Sequence, residues 1–243
     1  MGNLAIDIGN TKIKLGFFEN SELIFKKEFN ATSFLAGFQA LLSEFKVTDI
    51  LICASGKSEK IVTFLEEKSL SFKILEHNTP TPFDNHYETP ETLGLDRIAL
   101  TTAAVKVFPG ENALVIDAGT CVTYDFKTED EVYLGGAISP GLNMRFNALH
   151  DYTSKLPLLK PVAEPDYLGQ NTTKAIQSGV INGIIAEINA AKQWYQDHYG
   201  DVKIILTGGD MQFLSRTLKN GIFANSNFLL EGLNYLMLFN KTQ

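Results

Sequence analysis

The sequence predicts an α/β protein made of two similar halves, each opening on a strand that ends in an acidic, glycine-containing turn. Three observations carry this reading. First, Leu4-Ala5-Ile6-Asp7-Ile8 is an apolar strand, Gly9-Asn10-Thr11 follows as a tight polar turn, and Ile13 to Phe18 returns as a second apolar strand. Second, the device recurs as Ala113 to Ile116, then Asp117-Ala118-Gly119-Thr120, then Val122 to Phe126. Asp117 minus Asp7 is 110 positions in a chain of 243, so the second copy sits near the midpoint. Third, the elements after Asn112 follow the order of those after the N-terminus. The predicted domains are therefore residues 1–110 and 111–243.

The turns themselves point to chemistry. A hairpin tip needs only Asn-Gly or Asp-Gly. It does not need a carboxylate below the turn and a hydroxyl above it. A phosphate-binding turn does: glycine lets the backbone come close, N–H groups and the Thr hydroxyl donate to phosphate oxygens, and the aspartate holds a cation. One such turn is ordinary hairpin chemistry. Two of them, each opening one half, suggest turns that face each other across a cleft.

The remaining elements follow in order. Leu23 to Phe29 alternates as a third strand. Thr32 or Ser33 is placed to cap a helix in which Phe34, Leu35, Phe38, Leu41, Leu42 and Phe45 keep helical spacing. Asp49 to Ala54 reads as a buried strand, Ser58 to Lys68 as a helix, and Phe72 to Leu75 as a short strand. Pro80, Pro82 and Pro90 mark His77 to Thr92 as a loop. A helix begins near Thr92 and runs to about Phe108, where Pro109-Gly110 ends it. In the second half, strands are predicted at Ala113–Asp117, Cys121–Phe126 and Val132–Ile138. Gly135 to Gly141 reads as a glycine-rich turn, Leu142 to Leu149 as a helix, and Thr153 to Asp166 as a proline-punctuated loop. A long helix spans about Thr172 to Tyr199, with Ile176, Val180, Ile184, Ile188, Ala191 and Trp194 inward, and Gly200 closes it. Val202 to Thr207 is a buried strand ending at Gly208-Gly209-Asp210. A helix, a short strand near Phe228–Leu230 and a helix from Glu231 to Phe239 complete the pattern.

Composition narrows the function. Hydrophobic content of 44% and charged content of 20% suit a globular protein with a real core. A formal charge of −7, with no basic cluster to offset it, argues against a nucleic-acid surface. A small anionic ligand remains open, because backbone N–H groups and a bound cation supply local positive character. The two cysteines, Cys53 and Cys121, show no metal-ligand spacing and read as buried thiols in a reducing compartment. No apolar run approaches the roughly 20 residues of a membrane helix, and the N-terminus enters a strand directly. A cytoplasmic protein is expected, with no membrane partner.

Phosphoryl transfer needs a clamp for the triphosphate, a cation and a positioned hydroxyl. The two acidic turns are the clamp. Two carboxylates facing a triphosphate would repel it by several kcal/mol, so a metal ion must lie between them. Asp7 and Asp117 are the candidates, and carboxylate plus phosphate oxygens suit Mg²⁺. Gly208-Gly209-Asp210 is either a nucleotide wall or a plain strand-to-helix turn with Asp210 as cap. Gly94-Leu95-Asp96-Arg97 lies at a helix start. Asp96 is either a first-turn carboxylate that satisfies the helix dipole or the acceptor of a hydroxyl proton, with Arg97 gripping a carboxylate by its planar fork.

The order of elements in the two halves matches the duplicated ribonuclease-H-like (actin-like ATPase) fold, with two mixed-sheet domains and a cleft between. The motifs narrow the resemblance further. Asp7-Ile8-Gly9-Asn10-Thr11, Gly94-Leu95-Asp96-Arg97, Asp117-Ala118-Gly119-Thr120 and Gly135 to Gly141, in this order, resemble the type III pantothenate kinases. Gly169-Gln170-Asn171-Thr172 and Ala175 to Gly179 are similar to that family too. The resemblance implies ATP-dependent phosphorylation of pantothenate to 4'-phosphopantothenate, the first step toward coenzyme A. It makes Asp96 the base toward the substrate hydroxyl. Tyr87, Gly94, Leu95 and Arg97 then lie at the substrate. Asp7, Ile8, Gly9, Asn10, Thr11, Lys12, Ile13 and Lys14 hold ATP, joined by Gly119 and Thr120. Lys12 and Lys14 read equally well as exposed strand charges. The resemblance assigns a monovalent cation, K⁺ or NH₄⁺, to Asp117, while Mg²⁺ comes with ATP near Asp7. It also implies a homodimer in which Thr172, or its neighbour Thr173, reaches the partner's substrate. Two other readings stay open: another small-molecule kinase of the same fold, and a nucleotide-binding regulator without turnover.

Overall fold

The computed structural model describes every residue except 10, 31, 57, 219, 220 and 243. The chain divides into two units, one made of residues 1–109, 131–133 and 227–243, the other of residues 110–130 and 134–226.

The first unit is organised by β1 (Gly2–Ile8). It runs antiparallel to β2 (Ile13–Glu19), which pairs antiparallel with β3 (Glu22–Phe29). On its other side β1 lies parallel to β4 (Val47–Ala54), and β4 to β5 (Lys73–Ile74), giving the order β3-β2-β1-β4-β5. All of β1 is buried, and alternation along the strand sorts its residues by face. Leu4, Ile6 and Ile8 pack with Phe34, Phe38 and Leu41 of α1 (Phe34–Glu44) and Ile61 and Leu65 of α2 (Glu59–Glu67). Each such side chain contributes about 1.5–3 kcal/mol of burial. Asn3, Ala5 and Asp7 point the other way. There Asn3 Nδ2 donates to Asn234 Oδ1 at 2.9 Å, and Asn234 Nδ2 donates to the Asn20 carbonyl at 2.9 Å. Asn234 belongs to α7 (Phe228–Phe239).

Helix α3 (Leu95–Val107) carries the Gly-x-Asp-Arg segment at its start and is buried from Arg97 through Val105. It packs against α7 at short range: a Cβ at Gly232 would collide with the Ala99 carbonyl and lie 3.2 Å from the Ala103 Cβ. Glycine facing two alanines is what lets the two backbones come this close.

The second unit repeats the connections. β7 (Asn112–Ala118) is antiparallel to β8 (Cys121–Lys127) and parallel to β10 (Val202–Thr207). β9 (Val132–Pro140) flanks β8, and β11 (Ile222–Ala224) flanks β10. So β7 stands to β8 and β10 as β1 stands to β2 and β4. Val122, Tyr124 and Phe126 of β8 pack with Leu142 and Phe146 of α4 (Leu142–Asp151) and with Ile176, Ile181, Ile184 and Ile188 of α5 (Thr172–Tyr199). α6 (Met211–Ser215) adds Met211 and Leu214 to this core. The α/β class and the mixed sheets agree with the sequence reading.

Several local expectations are corrected. Gly135 to Pro140 is not a turn but the second half of β9. Gly136 is needed there because a Cβ would strike the Tyr124 carbonyl. Phe228–Leu230 is not a strand: β11 lies earlier, at Ile222–Ala224, and Phe228 opens α7. A short apolar run carries no period that tells a buried helix from a strand. Trp194 is not inward. It is 50% exposed and stacks on His198, with ring centroids 4.1 Å apart. Ser33 is the N-cap of α1 but its side chain makes no capping bond; Asn30 Oδ1 accepts from the Ser33 N–H instead. The proline-rich loop holds β6 (Asp84–Asn85), which pairs with the first residues of β9, and a 3₁₀ turn at Pro90–Thr92. Cys53 is buried, but Cys121 is only partly so. Among the described residues no helix is long and apolar enough to cross a membrane.

Candidate active site

In the first unit the register Ile8↔Ile13 fixes the loop between β1 and β2. The Gly9 N–H donates to the Lys12 carbonyl at 3.0 Å, and a Cβ on Gly9 would lie 3.2 Å from that oxygen. Ile8 and Ile13 send their side chains into the core, so only their backbones can face a ligand. Thr11 and Lys12 are exposed, and Lys12 Nζ pairs with Glu28 Oε2 at 2.7 Å. Asn10, expected in the same turn, lies outside the described residues.

One step back along the register, Asp7 faces Lys14, and Lys14 Nζ lies 3.7 Å from Asp7 Oδ2. Asp7 is 6% exposed. Burial pushes its carboxyl up to about 6, a rise that Lys14 opposes and the charge of Asp96 reinforces. Cys53 is the register partner of Asp7 on β4, and burial with the charges of Asp7 and Asp96 keeps its thiol protonated. Asp7 and Asp96 therefore share one electrostatic neighbourhood.

Asp96 sits in the first turn of α3 after the N-cap Gly94. Its Oδ1 accepts from the Arg97 N–H at 2.9 Å, and a Cβ on Gly94 would lie 2.5 Å from that oxygen. Gly94 thus leaves room for the carboxylate. Leu95 packs beside the cluster of Phe83, Leu93, Ile98 and Tyr133. Arg97 is 4% exposed, and its guanidinium carbon lies 5.6 Å from the centre of the Tyr87 ring. That is cation–π range. Tyr87 also packs on Tyr133, centroids 6.2 Å apart. So Tyr87 joins the Asp96-Arg97 helix start while still serving as a packed aromatic.

In the second unit the Gly119 N–H donates to the Cys121 carbonyl at 2.9 Å, which leaves Thr120 exposed at the tip. The Gly208 segment seals this turn from behind. Gly208 has φ +95°, and a Cβ there would collide with the Ala118 carbonyl and Asp117 Oδ1. The Asp210 N–H donates to the same Ala118 carbonyl at 2.9 Å, and the Asp210 side chain makes no capping bond. The tight approach at Gly208 is therefore to the chain's own Asp117 turn. Gly208→Ala combines a left-handed backbone with that collision, so it is expected to cost about 1–3 kcal/mol. A thermal melt should show Tm lower by several degrees.

Thr172 and Thr173 are exposed in the first turn of α5, where Asn171 Oδ1 caps the helix by accepting from the Lys174 N–H at 2.9 Å. The sequence reading missed Arg145 and Glu187, which pair Nη2 to Oε2 at 2.6 Å behind Thr120's turn. No local signal marks them, because the pairing joins helices α4 and α5 across 42 positions. Lys14 had a usable signal: a four-residue loop between Ile8 and Ile13 sets it opposite Asp7.

Among the described residues no group of three or more His, Cys, Asp or Glu is placed to hold a metal ion. A cation at Asp7 would have to share its shell with phosphate oxygens and water, as Mg²⁺ does.

Comparison with known proteins decides the family. The type III pantothenate kinase model matches residues 3–193. The chain belongs to the type III pantothenate kinase family. A type III pantothenate kinase from Christiangramia forsetii is 51% identical over 99% of this chain and 100% of its own length. A Campylobacter jejuni protein, described as a conserved candidate Baf family transcriptional activator, has 26% identity, a TM-score of 0.68, and coverage of 99% of this chain and 100% of its own. A Listeria monocytogenes protein, described as a candidate N-acetylmannosamine kinase, has 16% identity and a TM-score of 0.60 over 99% of this chain and 100% of its own. At that identity the likeness shows the fold alone, which agrees with a duplicated, ribonuclease-H-like architecture. As a type III pantothenate kinase family member the chain is an enzyme, a phosphotransferase that uses ATP.

Proposed function

We propose that the chain transfers the terminal phosphoryl group of ATP to the hydroxyl of pantothenate, giving 4'-phosphopantothenate, and that Asp96 receives the hydroxyl proton. The observation that carries the residue assignment is the helix start of α3. It presents a carboxylate, Asp96, beside a buried guanidinium, Arg97, packed on Tyr87. Arg97 and Tyr87 suit the carboxylate end and the apolar body of pantothenate. Gly94 and Leu95 shape the backbone there. A phosphoryl transition state of loose character asks mainly that the hydroxyl be oriented, which a first-turn carboxylate can do without being a strong base.

In the first unit Asp7, Ile8, Gly9, Thr11, Lys12, Ile13 and Lys14 are the proposed ATP contacts, and in the second unit Gly119 and Thr120 are. Mg²⁺ brought with ATP fits Asp7, a buried carboxylate whose ionised form is costly until a cation accompanies it. When bound, the ion neutralises charge developing on the phosphate oxygens. Asp117 is the proposed ligand of K⁺ or NH₄⁺. Thr172 or Thr173 is proposed to complete the substrate site of a second copy in a homodimer.

A transfer assay with pantothenate, ATP, Mg²⁺ and K⁺ tests the reading, and absence of 4'-phosphopantothenate would reject it. In the same assay, sodium in place of potassium is expected to raise the KM for ATP. Equal ATP binding in the two salts would remove the monovalent site from Asp117.

A further inference from the structure

We propose that Arg145 and Glu187 are positioning residues for the nucleotide turn: together they press the Ser139-Pro140-Gly141 corner onto Gly119 and Thr120. This rests on the reading of Thr120 as an ATP contact.

The observations form one connected path inside the second unit. Glu187 is on α5, and both of its carboxylate oxygens are engaged: Oε1 accepts from the Tyr124 hydroxyl at 2.9 Å and Oε2 from Arg145 Nη2 at 2.6 Å. Arg145, on α4, spends its other donors on the end of β9. Its Nε donates to the Pro140 carbonyl at 2.8 Å and its Nη2 to Ser139 Oγ at 2.9 Å. The next residue touches the turn. The Gly141 N–H donates to the Thr120 carbonyl at 3.2 Å, and a Cβ on Gly141 would collide with the carbonyls of both Thr120 and Gly119. Three elements are thus bolted to a corner that has no slack against the turn.

The shape of the guanidinium matters as much as its charge. Nε and Nη2, adjacent on the guanidinium, serve Pro140 and Ser139, and Nη2 serves Glu187 as well, so a planar fork is used for its geometry. A pair serving only stability would sit anywhere along α4 and α5. This one meets the last two residues before Gly141. Burial alone would push the Glu187 carboxyl up, yet its bonds to Arg145, Ser139 and Tyr124 hold it below its ordinary value, in keeping with a fully satisfied carboxylate. Loosening the corner should therefore be read out in how tightly the turn holds the phosphates, as a loss of binding shared by ground and transition states.

The test compares Arg145→Lys, Arg145→Ala, Glu187→Gln and Thr120→Ala. Arg145→Lys keeps the charge and loses the fork. It is expected to raise the KM for ATP about tenfold, with kcat at saturating ATP and the KM for pantothenate within about twofold of the parent, the signature of lost ground-state positioning. Glu187→Gln should move the same constant in the same direction. In Arg145→Ala, added guanidinium or methylguanidinium ion should bring the ATP KM back toward the parent value. Melting curves at saturating Mg²⁺ and K⁺ separate this from unfolding. If Thr120→Ala raises the ATP KM while Arg145→Lys and Glu187→Gln lower only Tm, the pair is structural and the inference is wrong. If Thr120→Ala leaves the ATP KM unchanged, the Thr120 reading fails first and the positioning role falls with it.

Discussion

Asp96→Asn is expected to lower kcat about 10²–10⁴-fold while ATP affinity changes by no more than about twofold. The substitution keeps shape and keeps an oxygen that can accept from the Arg97 N–H, the bond seen at 2.9 Å. What it removes is the capacity to take a proton and to orient the hydroxyl as a charged acceptor. ATP binding is measured by calorimetry with Mg²⁺ and K⁺ present, turnover by the transfer assay. A second effect follows from the shared neighbourhood. The Asp96 charge is among the causes that raise the Asp7 carboxyl, so its loss should let Asp7 ionise more readily and extend ATP binding to lower pH. Turnover at the parent rate in Asp96→Asn would take Asp96 out of its role.

Asp7→Asn should behave oppositely on fold and function. The folded chain raises the Asp7 carboxyl from 3.8 to about 6. A raised acid means that the folded state holds its proton more tightly than the unfolded state. The contribution of Asp7 to stability is therefore most favourable below about pH 4, declines as pH rises toward 6, and stays reduced above it. The difference of roughly two units corresponds to about 3 kcal/mol at neutral pH. Asparagine carries no such cost, so the variant should melt several degrees higher at pH 8 and no higher near pH 4. It should also lose the site for the cation that accompanies ATP, and turnover with it. For the parent protein the same shift predicts that Mg²⁺-ATP affinity weakens as pH falls through about 6, because the metal must displace a proton. A variant that melts at the parent temperature at pH 8 would show that Asp7 carries no buried-charge penalty. Stability would then have been set aside for function at some other position.

What could be read in advance follows from how local each feature is. The acidic turns are hairpins, whose register is decided within a dozen residues, and Asp7, Gly9, Asp117 and Gly119 stand where their spacing puts them. The Gly94–Arg97 segment was legible as a helix start because a cap and an apolar run adjoin. Trp194 misled because period 3.6 does not choose between adjacent residues: the inward face continues through Tyr195 and Tyr199, which pack on Phe126, and Trp194 falls beside it on the exposed side. Gly135-Gly136 misled because glycine serves other ends than turns: Gly136 permits a strand-to-strand approach, and Gly135 takes a left-handed φ of 100° within β9. Nothing local could pair Arg145 with Glu187, or place Asn234 opposite Asn3 across 231 positions.

That last separation bears on how the protein is made. Helix α7 covers α3, yet 121 positions, 228 minus 107, lie between the end of one and the start of the other. At about 5–20 residues per second, a ribosome needs on the order of ten seconds to bridge them. Throughout that interval the helix bearing Asp96 has its apolar side uncovered in the nascent chain. The earliest half to emerge is thus among the last to be completed, and any chaperone engaging this protein during synthesis meets Ala99 and Ala103 before Gly232 arrives to close over them.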